Sequence, residues 1–138
     1  MKYNYNVIAV IDETGTRALF CMRKKPPYQG LWNFVGGKIE PGEDGLRAAY
    51  RELLEETGIP ADAIELVHLM NFEYPLEDCR MEAYAGRLKK HVDVVDEVNH
   101  LEWLPVEQDY ADVTCFAGVG NVGHVIYYIQ ECLNIIEK

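Results

Sequence analysis

Three glutamates, Glu52, Glu55 and Glu56, are the residues of this chain best suited by type and spacing to do chemistry. In a helix with about 100° per residue they fall within an arc of roughly 100°. Like charges at these spacings repel each other, and a divalent cation would replace the repulsion with ligation. Carboxylate oxygens suit hard ions, so the pattern predicts a site for Mg²⁺, with Mn²⁺ as a substitute. A solvated acidic face is the alternative that the glutamates alone leave open.

A helix from about Asp44 to Thr57 is expected to position these glutamates. Gly58 and Pro60 follow it, as Gly just past a helix and Pro beyond it usually do. The other side of the helix carries its core-facing residues: Leu46, Ala49, Tyr50, Leu53 and Thr57. Glu43 or Asp44 is placed to cap the first turn.

The residues around this helix also match a longer pattern, G-x5-E-x7-R-E-U-x-E-E-x-G-U, in which U is apolar. The positions are filled by Gly37, Glu43, Arg51, Glu52, Leu53, Glu55, Glu56, Gly58 and Ile59. This stretch resembles the Nudix box of the Nudix hydrolases, with every specified position filled. The resemblance implies one Nudix domain over residues 1–138 and an α+β fold, the α/β/α sandwich with a mixed sheet between helices.

The order of elements read from the sequence agrees with that fold class. The predicted strands are Asn6–Asp12, Ala18–Met22, Leu31–Val35, Ile64–Tyr74, Met81–Leu88 and Leu101–Leu104. The first two are expected to form a hairpin. A final helix is predicted from Val122 to Ile136, with Asn121 as its N-cap. Strands on both sides of one helix, with a second helix at the end, favour a mixed sheet between helix layers.

The resemblance also implies roles for the residues of the box. Glu52, Glu55, Glu56 and the carbonyl of Gly37 would be metal ligands, and the three glutamates and Arg51 would form the catalytic group. Arg51 would hold acidic side chains in place, and it lies one turn before Glu55, with which it can pair. Which carboxylate acts as general base stays open.

A further acidic ligand is expected from outside the box. One helix face cannot surround an ion that prefers about six oxygens. Glu97 stands six residues before Trp103, the relation that this glutamate has to a tryptophan in bacterial MutT-like members of the family. Glu97 is therefore a predicted metal ligand. Glu97 could instead act as the general base, or bind the ion only when substrate arrives. The remaining alternative is that Glu97 belongs to an ordinary charged loop.

Two basic residues are candidates for contacting phosphates. Arg23 opens a cluster of three basic residues ahead of the glutamate helix. A solvated loop is the alternative for this cluster. Lys38 directly follows Gly37 and is placed to pair with a phosphate.

Five residues are candidates for binding the base of a nucleotide. Asn33 occupies a base-reading position of related animal enzymes, whereas Phe34, Tyr74 and Asn121 approximate positions around the base in bacterial ones. Trp103 and Tyr74 are the leading candidates for stacking, because each lies near a predicted strand end. Core packing is the alternative for Trp103.

The activity implied by the resemblance is Mg²⁺-dependent hydrolysis of a nucleoside diphosphate linkage. The first hypothesis is cleavage of a nucleoside triphosphate, oxidised or not, to monophosphate and pyrophosphate, because residues 31–43 resemble MutT-like triphosphatases. Val35 stands where bacterial members usually have Pro, which weakens the case for oxidised guanine. The alternatives are an ADP-ribose or sugar-nucleotide pyrophosphatase, for which Pro75 is a weak indicator, and a nucleotide sensor that does not cleave.

Length and charge limit the partners. A chain of 138 residues fits one domain, and a formal charge of −10 gives no long-range attraction to nucleic-acid polymers. A small nucleotide that arrives with its metal remains compatible with that charge. The sequence has no apolar run of the roughly 20 residues that span a bilayer, and its start does not read as a signal peptide. We therefore expect a cytoplasmic monomer or homodimer without a membrane partner.

Overall fold

The computed structural model describes residues 2–22, 24, 30–96, 98–107 and 121–132, with the backbone alone for residues 121, 131 and 132. Its strands are β1 (Tyr3–Ile11), β2 (Arg17–Met22), β3 (Trp32–Asn33), β4 (Val67–Tyr74), β5 (Cys79–Arg87) and β6 (Leu101–Pro105). Its helices are α1 (Gly45–Thr57) and α2 (Asn121–Cys132), with single 3₁₀ turns at Ala61–Ala63 and Pro75–Glu77.

These strands form one mixed sheet in the order β3-β2-β1-β5-β4, with β6 paired to β2. The parallel pair is β1 with β5, in register from Tyr3 opposite Cys79 to Ile11 opposite Arg87. The other strand pairs are antiparallel. β1 and β2 are antiparallel as predicted, but their pairing is limited to Ile11 opposite Ala18. The expected hairpin is therefore short, and β2 takes β3 and β6 as its further partners.

The two faces of the sheet are covered by different helices. On one face Val7, Ala9 and Ile11 of β1 share a buried cluster with Val125 and Ile129 of α2. On the other face Ile8 and Val10 share a cluster with Ala49 and Leu53 of α1. Alternation of side chains along a strand produces this division. The predicted arrangement of a mixed sheet between helices is confirmed.

Helix α1 begins and ends as its sequence predicts. The side chain of Asp44 accepts a hydrogen bond from the Arg47 N–H at 3.2 Å, and Gly58 ends the helix in the left-handed conformation with φ 80°. The expected core face is correct for Ala49, Leu53 and Thr57. Leu46, in the first turn, is exposed instead, whereas Ala48 is fully buried.

Several other predicted elements differ from the observed ones at their ends. β4 begins at Val67 rather than Ile64, and Ile64 forms an isolated bridge with Leu88 after the 3₁₀ turn of residues 61–63. The segment 91–96 has no regular structure, as expected. The end predicted for the last helix, Ile136, lies outside the described residues. None of the described helices has the length and apolar run that crossing a membrane requires.

Candidate active site

The site begins with a segment that runs antiparallel along β1. Ile8 donates its N–H to the Val35 carbonyl at 2.8 Å, Asn6 donates to the Gly37 carbonyl at 2.8 Å, and Ile39 donates to the Asn4 carbonyl at 2.9 Å. These bonds hold residues 35–39 against the sheet, next to the glutamate helix. The predicted strand Leu31–Val35 is thus split, because β3 ends at Asn33 and Val35 forms a separate bridge with Ile8.

Two glycines are required where this segment meets α1. Gly36 has φ 147°, and a Cβ on it would collide with the Asn6 carbonyl oxygen. A Cβ on Gly37 would lie 2.5 Å from the carboxylate carbon of Glu52. Glycine therefore lets the backbone approach β1 on one side and a carboxylate on the other. We call residues 36–37 the glycine turn.

Arg51 connects the acidic residues on the outer part of the site. Its guanidinium binds Glu43 through both oxygens, at 2.7 and 2.9 Å. It also donates to Glu52 at 3.0 Å and to Glu55 at 3.2 Å, which confirms the predicted pairing of Arg51 with Glu55. A fifth hydrogen bond, 3.1 Å long, reaches the Lys38 carbonyl. Arg51 thereby ties the helix to the backbone just after the glycine turn.

The ionisation of Glu43 and Arg51 follows from this pairing. The hydrogen bonds from Arg51, together with one from the Glu40 backbone, lower the pKa of Glu43 to about 2. The same carboxylate raises the pKa of Arg51 further above its already high value. Both groups are therefore charged throughout the neutral range, and bidentate pairs of this kind also fix geometry.

Glu52 and Glu56 lie deeper than Glu55. The side chain of Glu52 is 13% exposed and that of Glu55 is 58% exposed. Burial raises the pKa of Glu52, although Arg51 opposes the shift. Burial raises the pKa of Glu56 to about 7, although a hydrogen bond from the Gly36 N–H, 3.4 Å long, opposes the shift, and the charges of Glu52 and Glu55 add to it. Glu56 is thus the acidic group of this face whose charge is costly near neutral pH.

The donor atoms fit a hard divalent ion, but they are not gathered into one cluster. Glu52 and Glu56 offer carboxylates beside the glycine turn, and the Gly37 carbonyl keeps a lone pair besides the one that accepts from Asn6. Oxygen donors of this kind suit Mg²⁺ and Mn²⁺. Within the described residues, however, no three His, Cys, Asp or Glu side chains come together closely enough to hold a metal ion. Arg51 binds Glu52 and Glu55, and the metal site shared by the three glutamates stays a prediction.

The other predicted binding residues are spread over the molecule. Lys38 is exposed beside the glycine turn. The side chain of Asn33 accepts a hydrogen bond from the Phe34 N–H at 2.9 Å. Phe34 is only 4% exposed and stacks on Phe20 with ring centroids 5.0 Å apart, so little of its surface is available to a base. Tyr74 ends β4 and is half-buried.

Trp103 lies on β6, opposite Leu19 of β2, and is half-buried against the core cluster on the α1 side. It also borders a cavity of about 300 Å³ together with Arg17 and His91. None of the four glutamates of the box is among the described residues that line this cavity. Base stacking by Trp103 stays a prediction.

Three predicted residues fall where the structure says little. Arg23 and Glu97 lie outside the described residues, and Asn121 is described by its backbone alone, as the first residue of α2. Their predicted roles stay predictions. Asn6, whose side chain accepts from the Gly37 N–H at 2.9 Å, is a residue of the site that the sequence did not predict. The available signal was an amide at the start of an otherwise apolar strand.

The geometry of a box helix facing a glycine turn can be compared with known proteins. Residues 2–113 match the NUDIX domain family. The chain belongs to the NUDIX family. The resemblance read from the box is therefore confirmed, and members of this family generally use divalent metal ions.

Two proteins with known names show how similar this chain is in sequence to its relatives. The oxidized purine nucleoside triphosphate hydrolase of Danio rerio is 32% identical over 103 residues, covering 70% of this chain and 66% of that protein. The CTP pyrophosphohydrolase of Escherichia coli (strain K12) is 45% identical over 67 residues, covering 49% of this chain and 50% of that protein. The chain thus spans about half to two thirds of the length of these relatives.

One solved structure shows the same fold at low sequence identity. It is a bifunctional NMN adenylyltransferase/ADP ribose pyrophosphatase from Francisella tularensis, complexed with AMP and a Mn ion. It superposes with a TM-score of 0.72 at 20% identity, covering 96% of this chain and 42% of that chain. This likeness agrees with the NUDIX fold of the described residues.

Proposed function

We propose that residues 1–138 form one hydrolase domain that uses Mg²⁺, or Mn²⁺ as a substitute, to hydrolyse a nucleoside diphosphate linkage. The favoured substrate class is a nucleoside triphosphate, with a normal or an oxidised base, cleaved to the monophosphate and pyrophosphate. The observation that carries this proposal is the complete box, whose helix presents Glu52 and Glu56 to the glycine turn. The named activities of the Danio rerio and Escherichia coli relatives support the substrate class.

The residues that would hold the ion are the Gly37 carbonyl, Glu52, Glu55 and Glu56, with Glu97 as the ligand from outside the box. When bound, a divalent ion lowers the pKa of a water molecule and neutralises phosphate oxygens. Arg51 keeps Glu52 and Glu55 oriented on one side of the helix. A carboxylate that the ion does not saturate would accept the proton from the attacking water.

We assign substrate positioning to the other predicted binding residues. Arg23 and Lys38 would contact phosphates, and Asn33, Phe34, Tyr74, Trp103 and Asn121 are the candidates for the base. Hydrolysis of a phosphoanhydride depends mainly on positioning and charge stabilisation. A small set of oriented carboxylates and cations is therefore sufficient for the reaction.

A second candidate is an ADP-ribose or sugar-nucleotide pyrophosphatase. The Francisella tularensis protein, which is named for ADP ribose pyrophosphatase activity, supports it through the shared fold. A domain that binds nucleotide without cleaving it is disfavoured, because the box keeps each of its glutamates.

A turnover screen tests the proposal. The chain is incubated with normal triphosphates, oxidised purine triphosphates and ADP-ribose, with Mg²⁺, with Mn²⁺ and with a chelator, and the products are identified. We expect pyrophosphate and a monophosphate from a triphosphate, and no turnover with chelator. Faster cleavage of ADP-ribose to AMP and ribose phosphate would instead establish the second candidate, and turnover that survives chelation would contradict both.

Glu→Gln substitutions inside and outside the box distinguish a specific role of the box glutamates from a general effect of the chain's negative charge. Glu55→Gln and Glu56→Gln should each lower turnover by about 10² or more, because each removes a charge that stabilises the transition state. Glu65→Gln is the matched control, since Glu65 is an exposed glutamate outside the box. Full activity in both box variants would overturn the site assignment.

A further inference from the structure

Asn6 is a buried polar residue in an apolar strand. It is 2% exposed, and Ile8 and Val10, which follow it on the same face of β1, are fully buried. Burying an amide costs free energy unless its polar atoms are hydrogen-bonded. An aliphatic residue would suit this position in the sheet, so the amide calls for an explanation from its contacts.

Three contacts join Asn6 to the glycine turn. The Asn6 N–H donates to the Gly37 carbonyl at 2.8 Å, and the Gly37 N–H donates to the Oδ1 of Asn6 at 2.9 Å. The Asn6 carbonyl also lies directly against the Cα of Gly36, where a Cβ would collide with it. One residue of β1 thus fixes both polar groups of Gly37 and the path of the backbone before it.

The opposite side of the glycine turn meets the helix carboxylates. The Gly36 N–H faces an oxygen of Glu56 at 3.4 Å, and the carboxylate of Glu52 packs where a Cβ of Gly37 would be. The glycine turn therefore lies between Asn6 and these two glutamates and contacts both. A displacement of the turn would shift the Gly37 carbonyl relative to both carboxylates.

The amide nitrogen of Asn6 carries two N–H donors for which the described residues offer no acceptor. A backbone N–H can only donate, so the Asn6 oxygen must face Gly37, and this sets the direction of its Nδ2. Among the described residues, Nδ2 is buried and has no hydrogen-bond partner. An unpaired buried donor destabilises a fold, so stability alone does not account for an asparagine here.

We propose that Asn6 is a positioning residue of the metal site. Its side chain holds the glycine turn so that the Gly37 carbonyl and the carboxylates of Glu52 and Glu56 present their oxygens to one divalent ion. The N–H groups of its Nδ2 are available to an oxygen atom of the loaded site. This inference rests on the function proposed above, since it assigns Asn6 to the same centre.

The test compares Asn6→Val with Asn6→Asp. Valine removes the side-chain acceptor of the Gly37 N–H and matches the aliphatic character of its neighbours, whereas aspartate keeps an oxygen toward that N–H. Mn²⁺ binding without nucleotide is measured by electron paramagnetic resonance, and turnover by kcat and KM. For Asn6→Val we expect Mn²⁺ affinity and kcat to fall by about tenfold or more, as for other residues that orient metal ligands. KM should change less than kcat.

Hydrogen exchange at the Gly37 amide adds a readout that needs neither metal nor substrate. This amide should exchange about tenfold faster in Asn6→Val than in the wild type, because its acceptor is gone. Asn6→Asp should keep the slow exchange and more of the Mn²⁺ affinity. If Asn6→Val does not fold, Asn6→Asp and Asn6→Ser replace the comparison, with the serine variant expected to show the faster exchange and the weaker Mn²⁺ binding.

Val10→Ala is the matched control, because Val10 is buried on the same face of β1 and is not part of the turn. It should lower the melting temperature while Mn²⁺ affinity and kcat stay near wild type. The proposal is overturned if Asn6→Val keeps wild-type Mn²⁺ affinity and kcat, or if Val10→Ala loses as much. Wild-type chain that binds Mn²⁺ but cleaves no nucleotide would count against the proposed function alone, since exchange and metal binding would still decide on Asn6.

Discussion

Arg51 divides the acidic side chains of the site into two groups. Glu43, bound through both oxygens, has a pKa of about 2 and carries its charge at any ordinary pH. Glu56 has no bond to Arg51 among those described, and burial brings its pKa to about 7. Glu43 therefore has a structural role as the partner of Arg51. The negative charge of Glu56, beside the glycine turn, is destabilised by burial. A cation bound there would stabilise that charge.

Glu56→Gln should therefore stabilise the chain in the absence of divalent ions while abolishing turnover. The folded-state pKa of Glu56 is raised from 4.5 to about 7, so its contribution to stability is present below pH 4.5 and is lost as pH rises through 7. At pH 8 with chelator, the variant should gain about 2 kcal/mol after allowance for solvent screening. Melting curves from pH 5 to pH 8 check this, and a gain that does not grow with pH would contradict it.

Glu97 gives a second prediction at the scale of single residues. It precedes β6 by a few positions, and a carboxylate from this loop would complete the oxygen ligands that the helix face lacks. Glu97→Gln should lower kcat far more than it lowers the melting temperature. Asp96→Asn is the control, because Asp96 is its neighbour and faces His100 at 3.8 Å.

A substrate-analogue complex with Mg²⁺ decides the position of Glu97. Its carboxylate should lie at the metal or at the water bound to the metal. A Glu97 side chain distant from both would remove it from the site, and so would equal kinetic losses in the Glu97 and Asp96 variants.

Among the elements, α1 was the easiest to predict and the sheet was the hardest. The cap by Asp44, the stop at Gly58 and the glutamate spacing are local signals, and each is found in the structure. The parallel pairing of β1 with β5 joins residues more than 70 positions apart. The alternation of apolar and polar residues along a strand predicts which face of the sheet each side chain occupies. It does not predict which strand lies next to it. For the same reason, the contact between Asn6 and Gly37 could not be predicted.

The turn between β1 and β2 is stabilised by a buried carboxylate. Asp12, 1% exposed, accepts hydrogen bonds from the Thr14 hydroxyl at 2.9 Å, from the Thr16 N–H at 3.0 Å, and from the backbone and guanidinium of Arg17 at 3.1 and 3.0 Å. Burial acts to raise the pKa of Asp12, but these bonds outweigh it, so the pKa is lowered from 3.8. The short hairpin therefore depends on an ionised Asp12.

Asp12→Asn should destabilise the chain at neutral pH by about 1–3 kcal/mol, because an amide offers one acceptor oxygen instead of two. A lowered folded-state pKa contributes stability above pH 3.8, and this stability is lost as pH falls through the folded value. The difference in melting temperature between wild type and variant should thus be largest at pH 7 and narrow below pH 4. A constant difference over that range would show that the charge of Asp12 contributes nothing.

At the scale of the whole molecule, the net charge of −10 repels phosphorylated ligands, and this repulsion affects nucleotides and nucleic-acid polymers differently. A nucleotide carries few charges and arrives with a divalent ion, so local ligands can outweigh the repulsion. A nucleic-acid polymer presents a long row of phosphates, and binding to it normally draws on a basic surface that releases counterions. An overall excess of acidic groups opposes that mode of binding.

We therefore expect no binding of single-stranded RNA or duplex DNA to this chain, even at low salt. Proteins with a basic surface bind such polymers non-specifically with Kd of roughly 10⁻⁴–10⁻⁶ M at physiological salt, and more tightly at lower salt. Fluorescence anisotropy of labelled oligonucleotides, titrated with the chain at low and at physiological KCl, measures this directly. The same titration of the wild type with a labelled, non-hydrolysable nucleoside triphosphate analogue and Mn²⁺ is the positive control. Oligonucleotide binding in the micromolar range that weakens steeply with salt would show that a basic surface outweighs the net charge and would contradict the prediction.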